Sequence, residues 1–228
     1  MVSGNLYIIA IPIGNPDDIT LRAIKTLEQV DVIICEEFKP ARRFLKKFDL
    51  QKKELIQINE HNEKEESEAV LIRMLQTGES MGLISDCGTP VFSDPGHFLI
   101  RTAVEFGIPV VPIPGVSSLM TTLSVLNFQP SQFVFGGFLS REKHQRVKEM
   151  TQLREMKMPV ILMDTPYRLT AVLQDAVKVF GKGRKATLAC SLTQPDEKVH
   201  RGTLGEILQG VEGTKAEFML VIHDYQNH

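Results

Sequence analysis

Cysteine is scarce in this sequence, and the three that occur stand apart. Cys35, Cys87 and Cys190 are spread over 228 residues with no CxxC pair. An odd, scattered set excludes a disulfide framework and argues for a reducing, cytoplasmic setting. Cys87 sits in a glycine-proline loop and is expected to be a small buried thiol, since nothing nearby in sequence would lower its pKa. Long apolar runs are missing too: none approaches the roughly 20 residues of a membrane-spanning helix. The opening MVSGNLYIIAIPIGN has no basic leader, so no signal peptide is expected. No GxGxxG follows a strand-like run and no GxxxxGK[ST] occurs, which disfavours a dinucleotide or P-loop nucleotide site. There is no GxSxG nucleophile elbow. His61, His97, His144, His200, His223 and His228 show neither HExxH nor any ligand-like spacing, so no metal site is expected.

What is present reads as a globular chain, 43 % hydrophobic and 24 % charged, long enough for one large or two small domains. A formal net charge of −2 hides an asymmetry. Residues 1–115 hold 12 Lys+Arg against 17 Asp+Glu, whereas residues 116–228 hold 14 against 11. Surface scatter accounts for such a difference, and so does a second half that faces a phosphate-bearing partner.

Short β-rich runs alternate with helix-period segments. LYIIAI (6–11), DVIICE (31–36), ELIQI (54–58), MGLIS (81–85) and PVVPI (109–113) read as strands. Between them ITLRAIKTLEQV, PARRFLKKF and SEAVLIRML carry apolar residues at helical spacing, and HNEKEESE (61–68) reads as the solvated start of a helix. Strand-helix alternation predicts a mostly parallel α/β sheet. After VPIPG (111–115) the pattern restarts with SSLMTTLSVL as a helix. FVFGGF (133–138), a polar helix from Arg141 to about Met156, PVILMD (159–164), a helix near 166–180, TLACSL (187–192) and EFMLVIH (217–223) follow. The expected domains are therefore residues 1–115 and 116–228, the second α/β or α+β.

Parallel sheets bind ligands beyond the carboxyl ends of their strands. Three Pro/Gly-rich loops fall at such ends: IPIGNPDD (11–18), DCGTPVFSDPG (86–96) and PIPGVSS (112–118). Any one of them could be a plain turn. Three on one edge predict a cleft for a small polar ligand, with glycine admitting close backbone approach and proline stiffening the walls. Ser117 and Ser118 stand where a helix begins, so free N–H groups there could hold a carboxylate.

Taken together, LYIIAIPIGNPDDITLRAIKTLEQVDVI, LISDCGTPVFSDPG and VVPIPGVSS resemble the tetrapyrrole methylase family of S-adenosylmethionine-dependent transferases. The likeness is strongest to members that methylate a ribose 2′-hydroxyl of a cytidine in small-subunit ribosomal RNA. The resemblance implies a two-domain α/β fold, usually a homodimer, with the S-adenosylmethionine cleft between the domains. By motif position Pro12, Ile13 and Gly14 would line one wall, and Gly88, Thr89, Pro90 and Phe92 the other. Ser117 and Ser118 would meet the cofactor, and Met163 would lie beside its adenosyl group.

Two motifs depart from the family pattern. Where its ribosomal members carry AEDTR this chain has CEEFKPARR, and where they carry YESPHR it has MDTPYR. Glu36 and Arg168 survive and are expected on the substrate side, with Arg42 and Arg43. The three arginines could grip phosphate, or form a solvated helix face or a structural ion pair. Glu36, Glu37 and Asp164 are the carboxylates left near the expected acceptor, and none is assigned as a catalytic base. Ribosomal RNA or the small subunit is the expected partner. A methyltransferase acting on a tetrapyrrole or other small molecule, and a non-catalytic cofactor-binding protein, stay open.

Overall fold

The computed structural model describes residues 4–91 and 94–224. The chain divides into two compact units, Met1–Ser117 and Ser118–His228. The first is a three-layer α/β unit. Its strands are β1 (Leu6–Ile9), β2 (Val32–Cys35), β3 (Glu54–Gln57), β4 (Met81–Leu83) and β5 (Val110–Ile113). Its helices are α1 (Leu21–Gln29), α2 (Phe38–Lys46), α3 (Glu63–Thr77) and α4 (His97–Glu105). All described pairings are parallel, in the order β3-β2-β4-β1-β5.

Both faces of this sheet are covered, which is why β2 reads as the unbroken apolar run VIIC. Side chains alternate across a strand. Val32 and Ile34 point to one layer with Val70, Met74, Leu99 and Ala103 of α3 and α4. Ile33 and Cys35 point to the other with Ala23, Leu27, Ala41 and Leu45 of α1 and α2. Thr20 caps α1 by accepting from the Ala23 amide at 3.0 Å, and α3 stops at left-handed Gly78.

Helix α4 is absent from the sequence reading. Its N-cap, Gly96, has no side chain to offer. The cap comes instead from Glu63 at the start of α3, whose Oε1 accepts from the Gly96 amide at 2.8 Å and the Phe98 amide at 3.0 Å. The acidic stretch 61–68 does open a helix, but Glu63 within it is half-buried and engaged rather than solvated.

The second unit is α+β. Strands β6 (Val134–Gly137), β7 (Val160–Asp164), β8 (Lys185–Cys190), β9 (Lys198–Thr203) and β10 (Phe218–Ile222) form a sheet in the order β6-β7-β10-β8-β9. Only β6 and β7 run parallel; the other pairings are antiparallel. Its helices are α5 (Ser118–Ser124), α6 (Lys143–Glu155), α7 (Leu169–Phe180) and α8 (Leu204–Gly210). The sequence reading lacked β9 and α8. KVHRGT is a half-exposed edge strand whose charges break apolar alternation. Helix α8 was announced by the capping box Thr203–Glu206, in which each side chain satisfies the other's backbone.

Helix α6 docks by a narrow apolar stripe, Val147, Met150 and Leu153, and by Arg146, which pairs with Asp175 of α7 through Nη2 at 2.7 Å and Nε at 2.8 Å. Both side chains are buried, and Nη1 also reaches the Ser140 and Arg141 carbonyl oxygens. Removing one partner strands a charge in the interior. Arg146→Ala should therefore destabilise the second unit by about 3–5 kcal/mol, whereas Arg146→Met combined with Asp175→Leu should recover much of that loss. Urea unfolding followed by circular dichroism measures both.

Candidate active site

The order of the first sheet sets β4, β1 and β5 side by side, so the loops that leave their carboxyl ends meet. They are tied by the backbone. The Ile11 amide donates to the Gly88 carbonyl at 2.9 Å, and the Gly88 amide donates to the Pro12 carbonyl at 3.4 Å. Thr89 Oγ1 donates to the Val116 carbonyl at 3.0 Å, which joins the third loop to the second. The Ala10 amide to Ile113 carbonyl bond, at 3.1 Å, extends the β1–β5 ladder to the same edge. Ile11, Pro12, Gly88, Thr89 and Val116 thus form one junction rather than separate turns, with Ile13 set against Gly88 and with Gly14 and Pro90 next to them in sequence.

Local geometry explains the residue choice. Gly88 has φ +73°, and a Cβ there would stand 3.1 Å from Ile13 Cγ2. Val91 also has positive φ, at 72°, a conformation that costs a β-branched residue of order 1–3 kcal/mol. Buried Ser85 donates to the Cys87 carbonyl at 2.8 Å and so fixes the turn out of β4. Pro90 is buried beneath the loop while Thr89 is exposed on it. Phe92 lies outside the described residues. Ser117 and Ser118 are half-buried at the entry to α5, which is only seven residues long.

Cys87 is exposed, contrary to the expectation of a buried thiol. The chain turns outward at Asp86 after Ser85, which ends the buried run from β4, and the left-handed Gly88 carries it back to buried Pro90. Cys35 and Cys190 are the buried pair of thiols, and burial pushes them up to about 12 and about 11.

Carboxylates gather beside the junction. Glu36 follows β2, Asp86 follows β4, and Asp94 lies in the loop between β4 and α4. Burial first, then the negative charges of Asp86, Asp94, Glu37 and Glu60, push Glu36 up to about 7. Asp86, exposed as a residue, is raised by partial desolvation of its carboxyl and by Glu37, and half-buried Asp94 by desolvation and Asp86. Asp86 and Asp94 were missed as site residues because each reads as an ordinary loop acid. The signal was their place in the same loop as Gly88.

Arg42 and Arg168 are engaged with the protein itself. Arg42 donates through Nη1 to the Gln51 and Lys53 carbonyl oxygens at 2.7 and 2.6 Å, bracing the turn before β3. Its neighbour Arg43 is exposed on α2. In the second unit Met163 is half-buried near the end of β7. Next to it Asp164 pairs with Arg168 at 3.2 Å, and Arg168 Nη2 donates to the Leu139 and Ser140 carbonyl oxygens. That guanidinium locks the turn after β7 to the segment after β6. Burial raises the Asp164 pKa, and its bond from the Thr165 amide and the nearby Arg168 oppose the rise.

Residues 5–208 match the family of Tetrapyrrole (Corrin/Porphyrin) Methylases. The chain belongs to the tetrapyrrole methylase family. It is therefore an S-adenosylmethionine-dependent methyltransferase. Among curated relatives, Ribosomal RNA small subunit methyltransferase I of Halalkalibacterium halodurans is 38 % identical over 221 residues, covering 96 % of this chain and 75 % of that protein. The protein of the same name from Escherichia coli O157:H7 is 35 % identical over 227 residues, covering 98 % and 79 %. Among solved structures, diphthine synthase superposes with a TM-score of 0.73 at 14 % identity, covering 96 % of this chain and 90 % of that one. Uroporphyrin-III C-methyltransferase from Thermus thermophilus, complexed with S-adenosylhomocysteine, gives 0.67 at 17 % identity, covering 96 % and 97 %. At those identities the likeness concerns the tetrapyrrole methylase fold.

Within that fold the junction predicts a sharp response at Gly88. Gly88→Ala forces a side chain into left-handed backbone and against Ile13, at a cost of about 1–2 kcal/mol. Thermal unfolding should show that loss, and calorimetry with S-adenosylhomocysteine should show at least a roughly tenfold weaker site, equivalent to about 1.4 kcal/mol.

Proposed function

We propose that the protein moves the methyl group of S-adenosylmethionine to a ribose 2′-hydroxyl of small-subunit ribosomal RNA. The observation that carries the reading is identity of 33–39 % to relatives named for ribosomal RNA methylation, spanning at least 87 % of this chain. The chemistry of the junction supports the cofactor. Its carboxylates suit a cationic sulfonium and ammonium, and no basic side chain from the three loops stands there to hold a phosphate. Pro12, Ile13 and Gly88 would shape the wall, Thr89 and the Ser117–Ser118 entry would contact polar groups, and Met163 would touch the adenosyl group. The two compact units are taken as the two domains of the enzyme, and the assembly as a homodimer, a reading that rests on family membership. Sedimentation equilibrium should then return twice the 25.6 kDa chain mass at micromolar concentration.

The cofactor, when bound, supplies an electrophilic methyl whose sulfur keeps the bonding electron pair on release. A ribose hydroxyl is a poor nucleophile until its proton is drawn off. Glu36 is the group suited to take it. Its carboxylate is half-buried among other acids and raised to about 7, close to the pH at which a base must both ionise and accept. Holding the hydroxyl oxygen in line with the methyl supplies the remainder of the rate. Exposed Arg43 is the phosphate contact on α2, with Arg42 bracing the helix end beneath it. Arg168 sets the shape of the turn after β7 on the substrate side.

The reading is tested by transfer of labelled methyl to ribosomal RNA, isolated small subunits and tetrapyrroles side by side. RNA should be labelled at a 2′-oxygen; labelling of tetrapyrrole alone would reject it. Activity should rise with pH through about 7 as Glu36 ionises. Glu36→Gln should abolish turnover while S-adenosylhomocysteine still binds. The same variant should gain stability with a definite sign. A carboxyl raised from its ordinary 4.5 to about 7 makes the folded state bind protons more tightly, so wild type loses stability as pH rises across that window. Glu36→Gln should thus melt higher than wild type above pH 7 and converge with it below about 4.5.

A further inference from the structure

The second unit carries a cavity lined by none of the residues named for the cofactor or the acceptor. It lies at the end of the sheet away from Met163 and Asp164. Phe218 of β10 pairs with Asp164 and Cys190, whereas Ile222 at the other end of β10 pairs with Val160 and Ala186. The cavity sits at that second end, with a volume of about 380 Å³. Asn127, Phe128, Lys185, Arg201, Gly202 and His223 line it.

One wall is aromatic. The Phe128 and His223 rings lie 4.3 Å apart between centroids, inclined at 49°. His223 is buried, with Nε2 3.2 Å from Thr187 Oγ1. Burial pulls its pKa down to about 4, so near neutral pH it offers a ring face rather than a charge. The opposite side is cationic. Lys185 and Arg201 are exposed, and Arg201 is oriented by donating from Nη2 to the Val125 carbonyl at 2.6 Å. The turn before β8 lays Lys182 and Arg184 along the same edge, their carbonyl oxygens accepting from Gly205 and Leu204. Two acids stand nearby. Glu206 is bound to the Thr203 amide and hydroxyl, and Asp224 faces His223.

We propose that this cavity is a second RNA contact, holding one unpaired nucleotide of the substrate strand with its base against Phe128 and its phosphate on Lys185 and Arg201. An aromatic platform beside cations is the chemistry that takes single-stranded nucleic acid, and the Asn127 amide offers both donor and acceptor to a base edge. The volume lies within the range of small-ligand pockets, ~300–1,000 Å³. The proposal rests on RNA being the methyl acceptor, and it adds a binding determinant made of residues with no part in the proposed chemistry.

The test uses the intact protein with small-subunit ribosomal RNA and a pyrimidine pentanucleotide. Lys185→Ala combined with Arg201→Ala replaces two exposed residues and leaves the core alone; Phe128→Leu tests the platform. The double variant should raise KM for RNA and lower the slope of log affinity on log salt by about 1.4, at ~0.7 for each lost single-strand phosphate contact. Phe128→Leu should weaken pentanucleotide binding by roughly tenfold, a loss of 1.4 kcal/mol within the range of one base stack. In the double variant kcat and S-adenosylhomocysteine affinity should stay at wild-type values, with only a small drop in melting temperature from loss of the Arg201–Val125 bond. If wild type methylates RNA and the double variant keeps its KM and salt slope, the cavity is not an RNA contact. If cytidine monophosphate binds there as tightly as the pentanucleotide, the site serves a free nucleotide and the strand contact is wrong. If wild type transfers no methyl to RNA, the proposed function fails first and this inference with it.

Discussion

The backbone bonds between Gly88 and the segment Ile11–Pro12 fix where everything else in the first unit can stand. They hold two loops from neighbouring parallel strands so close that a Cβ at residue 88, already in left-handed backbone, would press on Ile13 Cγ2 at 3.1 Å. Thr89 then reaches the third loop through the Val116 carbonyl. A loop made of proline and glycine would otherwise be free to sample many shapes. Cross-linked in this way it becomes a stiff wall, which lowers the ordering cost of binding a small molecule.

Stability and function pull in opposite directions at this edge. Val91 sits in a strained backbone region, and three acids share partly desolvated space beside it. Neither arrangement favours the folded state on its own. The sheet that carries them is buried on both faces, and its two apolar layers outweigh these costs. The second unit pairs its buried polar groups: Arg146 and Asp175 dock α6, and Arg146 shares the Ser140 carbonyl with Arg168, the partner of buried Asp164.

The inner strands β1, β2 and β4 of the first unit were legible because burial writes a nearly continuous apolar run into each, and the half-exposed edge strands β3 and β5 because β-branched and apolar residues still dominate them. The three loops were legible as punctuation, and their meeting followed once the sheet order set β4, β1 and β5 together. Other features depend on partners remote in sequence. Glu36 and Asp86 are 50 positions apart, so no local pattern announces a shared field. Helix α4 lacked a cap of its own, and edge strand β9 carries charges where alternation was sought. The ends of Arg42 and Arg168 could not be traced because backbone carbonyls, their main acceptors, leave no mark on sequence. Cys87 was misplaced for a simpler reason: a small thiol in a loop follows the turn of the backbone, not its own hydropathy.

Glu63 has a consequence for how the first unit assembles. Its carboxylate closes the open end of α4 from 33 positions upstream, so α4 has no complete first turn until α3 has docked. A nine-residue helix is marginal alone, and a missing cap makes it more so. The two helices should therefore form as one cooperative block, with the loop between β4 and α4 ordering only after both. The loop junction at Gly88 would then be among the last parts of the unit to gain protection from hydrogen exchange, even though β4 beneath it is buried along its whole length.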